Sequence, residues 1–115
     1  MRYSEIPPFV TVSKAGNLFH YTVNYLVEQV DEEYEVGSVT IAIDHNLCDD
    51  DYGPLVSAII HDRYSPDDIE AIHLNYTASK TTEHKNEFAA LNQWRATAKE
   101  KAREAIGYVA GLNAE

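Results

Sequence analysis

The chain has 115 residues and a formal net charge of -10 at pH 7, which comes from 19 acidic and 9 basic side chains. Such an acidic chain is poorly suited to phosphate backbones, so the composition argues against nucleic-acid binding. With one cysteine, Cys48, and no apolar run near the ~20 residues of a membrane span, the sequence predicts a single cytoplasmic domain over residues 1–115 without an internal disulfide or a membrane partner.

The first third of the chain alternates apolar and polar residues with a period of two, which is typical of strands with one buried face. After a short first strand and a glycine-containing turn, the alternation runs over residues 19–27 and again over residues 39–43. Placing Tyr25 opposite Val39 brings the apolar sides of these two strands onto one face. We therefore predict a three-stranded antiparallel meander over about residues 9–44.

The chain over about residues 52–110 has apolar residues at helical spacing, interrupted by two polar segments, and predicts three helices. At the first interruption Ser65 is a suitable cap. Pro66 suits the first helical position, because the amide that proline lacks would be unpaired there anyway. One helix should therefore end near Tyr64 and the next begin at Pro66.

The third predicted helix carries its apolar residues on one side, among them Phe88, Leu91 and Trp94. We expect Gly107 or Gly111 to end it. A meander with one apolar face is not stable alone, and each helix has an apolar stripe that needs cover. The sequence thus predicts an α+β fold in which three helices pack on one face of the meander, with Trp94 in the core.

Few residues suggest catalysis. His61, Asp62 and His73 invite comparison with metal-dependent phosphohydrolases, but such a site needs further ligands, and we interpret all three as surface or border residues. Cys48 precedes three aspartates, residues 49–51, whose negative charge disfavours a reactive thiolate. We interpret the aspartates as a segment that precedes the first helix and places negative charge near its positive end. We therefore predict no catalytic, metal-binding or cofactor-binding residue.

The second face of the predicted sheet is not fully polar. Four apolar residues are expected on it: Leu26, Val30, Tyr34 and Val36. Edge strands and half-apolar faces are common routes to pairing with another chain. We therefore predict an interface there, for self-association or for a protein partner, with Glu28 and Glu35 on its rim. The alternative is that the chain ends, residues 3–6 or 108–112, fold over this face.

The helical part contains the pattern LVSAII-x-DRYS from residue 55, followed by EAI, EF, WR and AK. This pattern resembles one in small uncharacterised bacterial proteins, some of which are encoded by prophages or mobile elements. The resemblance implies no assigned activity and no catalytic residues. It does imply a phage-type accessory or assembly role.

Three function classes remain open. The leading one is a non-enzymatic protein-interaction module whose acidic residues attract a basic partner. The second is a metal-dependent enzyme with a site built from His61, Asp62 and His73. The third is an acidic inhibitor that mimics nucleic acid, which would carry regularly spaced carboxylates along one face.

Overall fold

The structure is a computed structural model that describes residues 2, 3, 5 and 7–113. Its strands are β1 (Arg2–Tyr3), β2 (Val10–Ala15), β3 (Leu18–Val30) and β4 (Glu33–Ile43). Its helices are α1 (Tyr52–Arg63), α2 (Pro66–Ala78) and α3 (Thr82–Asn113), and a short 3-10 helix (Asp49–Asp51) leads into α1. The predicted α+β class is confirmed. Among these helices, none combines the length and apolar character needed to cross a membrane.

The strands form one antiparallel sheet in the order β1-β4-β3-β2. The predicted meander corresponds to β2, β3 and β4, and β1 is an addition at its outer edge. β1 pairs with β4 beside Tyr34 and Glu35. The sequence did not reveal β1, because a strand of two residues is too short to show a period.

The register of β3 and β4 differs from the predicted one by two residues, since Val39 lies opposite Val23 rather than Tyr25. Two features each shift it by one residue. The turn holds only two residues, because Val30 already pairs with Glu33. A β-bulge then adds one residue to β3 between Val23 and Leu26. The apolar sides still coincide, since a shift of two keeps every side chain on its face.

The bulge reverses the alternation of β3, and this overturns the predicted second face. Four of the six predicted interface residues lie, by their pairing, on the same side of the sheet as the helices: Leu26, Glu28, Val30 and Glu35. Leu26 also packs against the core. Tyr34 and Val36 remain on the opposite face, where Val36 is buried. The prediction was wrong because it assumed an unbroken strand.

The alternative prediction was that one of the two chain ends, residues 3–6 or residues 108–112, covers the second face of the sheet. Residues 108–112 belong to α3, where the ring of Tyr108 meets that of Phe9 edge-on at 5.8 Å between centroids. These residues therefore lie in the helical layer. For the other chain end, residues 4 and 6 and the side chain of residue 3 lie outside the described residues.

The core lies between the sheet and helices α1 and α3. Tyr25 meets Trp94 edge-on, with 5.5 Å between ring centroids. The indole Nε1 of Trp94 donates a hydrogen bond to the carbonyl oxygen of Ile59 at 3.3 Å. One buried side chain thus joins the sheet, α1 and α3, and the predicted core position of Trp94 is confirmed.

Helix α2 packs on α3 through aromatic side chains. Phe88, which was expected to cover the sheet, instead stacks on Tyr76 of α2, with ring centroids 4.2 Å apart. Beside this stack, Nη2 of Arg95 lies 3.2 Å from Nε2 of His73. The apolar stripe of α3 is therefore divided, since one part faces the sheet and the other faces α2.

Local chemistry fixes some helix ends better than others. Ser65 and Asp68 cap each other's backbone amides at 3.1 and 3.2 Å, and α2 begins at Pro66 as predicted. The predicted end of α3 was wrong, because the helix continues past Gly107 and Gly111. Neither glycine has the positive φ of a helix-ending residue.

Candidate functional site

The three residues of the predicted metal-dependent enzyme have separate partners. His61 is exposed, with its Nδ1 3.3 Å from Oγ of Ser57 in the same helix. Asp62 accepts a hydrogen bond from the hydroxyl of Tyr25. His73 packs against a ring of α3. Within the described residues, the three do not form a group close enough to share an ion. The geometry therefore does not favour this enzyme.

The contact between Tyr25 and Asp62 instead ties the sheet to the end of α1. Burial, and then the hydrogen bond to Asp62, raise the pKa of Tyr25 well above its usual range. The phenol therefore stays protonated and acts as a donor. This contact, together with Trp94, holds the Tyr25 ring in one place.

Gly37 makes room for that ring. A Cβ atom at Gly37 would lie 3.1 Å from the Tyr25 ring, which is closer than side chains normally approach. Because the bulge adds a residue, both Tyr25 and its neighbour Leu26 are on the helix side of β3. Tyr25 then fills the core, while Leu26 is left half-buried at its border.

Beyond the bulge, β3 continues past the end of β2. Pairing with β2 stops where Val10 lies opposite Val23, and the amide of Asn24 then donates to the carbonyl oxygen of Phe9 at 2.8 Å. No other described strand pairs with this side of β3 from residue 26 to residue 30. Residues 26–30 are here termed the open edge. An open edge offers alternate backbone N–H and C=O groups to another strand.

A cavity of about 400 Å³, here termed the edge cavity, adjoins the open edge. Its walls come from β3, the end of α1 and the middle of α3: Leu26, Glu28, Arg63, Tyr64, Ala90, Gln93, Trp94 and Thr97. The guanidinium carbon of Arg63 lies 3.8 Å from the centre of the Trp94 ring, a cation–π distance. The wall therefore combines apolar groups, such as the indole ring and Leu26, with polar and charged ones.

The hairpin that carries the open edge is strongly acidic. Between residues 26 and 37 the side chains include five carboxylates and no basic group. Glu28 and Glu35 lie opposite each other on the cavity side of the sheet. Glu28 and Glu35 therefore place negative charge on the sheet face beside the edge cavity.

A second group of polar side chains lies between β4 and α1. Nε2 of His45 is 3.0 Å from the buried carboxylate of Asp51, which also accepts the backbone amide of Cys48. Hydrogen bonds to Asp44 and then to Asp51 raise the pKa of His45. Cys48 and residues 49–51 were interpreted separately, and His45 was overlooked. The spacing His-x2-Cys-x2-Asp was the available signal.

No protein-family model, curated protein or solved structure matches this chain. A function for this chain can therefore be proposed only from the geometry of its own residues.

Proposed function

We propose that the protein is a non-enzymatic, cytoplasmic protein-interaction module that binds an extended basic segment of another protein at its open edge. The observation that carries this proposal is the position of the edge cavity beside the open edge. An added strand needs both features. Backbone hydrogen bonds to the edge supply affinity, and a pocket beside it selects a side chain.

The pleat of a strand sets which partner residues are recognised. Successive side chains of a strand point to opposite faces, so alternate residues of the bound segment would face the edge cavity. Leu26 and Trp94 suit an apolar side chain, and Glu28 at the rim suits a basic one. On the other face the segment would lie beside Val27, whose side chain is 36% exposed.

Charge favours a basic partner over a second copy of the chain. Two copies joined at this edge would bring their Glu28 side chains and their acidic turns together, and each copy carries a net charge of -10. Like charges in an interface oppose association, whereas a basic segment is attracted over a distance. The proposed binding also fits a phage-type accessory role, since that role requires binding and no catalysis.

The test uses an alternating valine–lysine peptide of about seven residues, a usual strand length. Binding is followed by the fluorescence of Trp94, the only tryptophan, which lines the edge cavity. We expect saturable binding. A peptide with proline at its centre should not bind, because proline cannot donate to a strand ladder.

A charge-matched pair of variants separates site binding from general attraction. Glu28→Lys with Glu35→Lys should weaken binding by roughly 5- to 30-fold, since reversing two exposed charges changes binding by about 1 to 2 kcal/mol. Glu70→Lys with Glu100→Lys makes the same change in net charge on the exposed surface of α2 and α3 and should weaken binding less. Equal losses in the two variants, or equal binding of the proline peptide, would contradict strand addition.

A further inference from the structure

The segment from His45 to Asp51 brings three different metal-ligand types together. The 3-10 helix turns Asp51 back toward the loop, where its side chain is 7% exposed. One carboxylate oxygen of Asp51, Oδ2, lies 3.1 Å from Nε2 of His45 and 3.6 Å from Sγ of Cys48. The nitrogen, the sulfur and a carboxylate oxygen are all within 4.8 Å of one another.

The separations of Oδ2 from Nε2 and from Sγ are close to those between ligands of a tetrahedral ion. Zinc bonds of about 2.0 Å to nitrogen or oxygen and about 2.3 Å to sulfur place nitrogen and oxygen about 3.3 Å apart, and sulfur and oxygen about 3.6 Å apart. We propose that His45, Cys48 and Asp51 form a binding site for a zinc-like divalent transition metal. This inference is independent of the proposed function at the open edge.

The surroundings of His45 suit a metal ligand. Its Nδ1 lies 2.9 Å from Oδ1 of Asp44, so the ring is held by a carboxylate while Nε2 points at Asp51. Metal-bound histidines commonly have such a carboxylate on their other nitrogen. A metal ion at this position would replace the proton between Nε2 and Asp51, while Nδ1–H continues to donate to Asp44.

The donor set also selects the class of ion. A thiolate and an imidazole favour zinc or cobalt, whereas magnesium and calcium prefer oxygen ligands alone. Three protein ligands leave one tetrahedral position for solvent or for another ligand. Asp51 also caps the 3-10 helix by accepting the Cys48 amide. Its replacement would therefore disturb the fold as well as the site.

The test adds cobalt or zinc to the reduced, full-length chain. Cobalt should give a thiolate-to-cobalt charge-transfer absorption band, and zinc should raise the melting temperature with increasing concentration. Cys48→Ser should remove the band. Asp44→Asn should weaken metal binding by about 10- to 100-fold while leaving the three ligands in place.

The control is the double variant His61→Ala, His73→Ala, which removes the two histidines of the alternative metal hypothesis and should bind metal like the wild type. A wild type with no cobalt band and no stabilisation by zinc would overturn the proposal. A band that survives Cys48→Ser, or that disappears in the double-histidine control, would overturn it as well.

Discussion

The two halves of the β3–β4 hairpin, on either side of the bulge, have similar sequence patterns but different surroundings. Before the bulge, Val23 lies between two strands and beneath the helices, with 0% of its surface exposed. Beyond it, residues 26–30 pair with β4 alone among the described strands, and their side chains are half-buried or exposed. Alternation therefore identifies the faces of a strand, while the neighbouring elements decide whether a face becomes core or binding surface.

The largest expected effect comes from Trp94→Ala, because Trp94 joins the covered half of the hairpin to both helices of the core. The loss of a buried aromatic side chain should lower the free energy of unfolding by about 3 to 5 kcal/mol. Urea denaturation measures it. The comparison variant Val27→Ala, on the open half, should cost less than about 1 kcal/mol. Similar costs for the two variants would remove the distinction between the halves.

Gly37→Ala tests the boundary between the two halves. The added methyl group would lie 3.1 Å from the Tyr25 ring, which is held by Asp62 and Trp94 and cannot easily move. We expect a loss of about 1 to 3 kcal/mol in unfolding free energy, as for other overpacked sites. In a Tyr25→Ala background the same change should be nearly neutral. A loss that is the same in both backgrounds would show that the ring is not the cause.

Tyr25→Phe removes the hydrogen bond to Asp62 and should cost about 1 kcal/mol near neutral pH. Because the pKa of Tyr25 is raised in the folded state, its contribution is complete below the unfolded pKa of about 10 and is lost as the pH rises through the folded value. The unfolding free energy, measured by denaturation at a series of pH values from 7 upward, should therefore fall more steeply above about pH 10 for the wild type than for the variant. Parallel curves would argue against a protonated Tyr25 in the core.

The smallest effect concerns the turn at the tip of the open half. Asp31 has a φ of 59°, a left-handed conformation that costs energy for most residues other than glycine. Asp31→Gly should therefore raise the unfolding free energy by a few tenths to about 1 kcal/mol. Thermal melting measures the change. The neighbouring control Glu32→Gly has no such strain to relieve, and it should lower the stability instead.

Local sequence chemistry predicted only part of this fold. Ser65 and Pro66 gave the start of α2, because a cap and a first-turn proline act within a few residues. The bulge was not predictable in the same way. It is held by contacts between residues far apart in the chain, from the Asn24 side chain to the Pro8 carbonyl at 2.6 Å and from Tyr25 to Asp62.

The candidate sites were hidden for related reasons. The open edge depends on where β2 stops, and the edge cavity depends on the end of α1 meeting α3. Neither can be read from a strand's own alternation. The ligands His45, Cys48 and Asp51 are close in the sequence, but only the 3-10 helix turns the Asp51 carboxylate toward the other two.

The central claim is that residues 26–30 accept a strand from another protein. Amide hydrogen exchange, compared residue by residue between the peptide-free and the peptide-bound protein, tests this claim most directly. In the free protein, amides of the open edge should exchange faster than those of residues 19–23, which have strands on both sides. Saturation with the alternating valine–lysine peptide should slow exchange at alternate residues of the open edge and leave residues 19–23 unchanged. Bound peptide with no new protection between residues 26 and 30 would contradict the account.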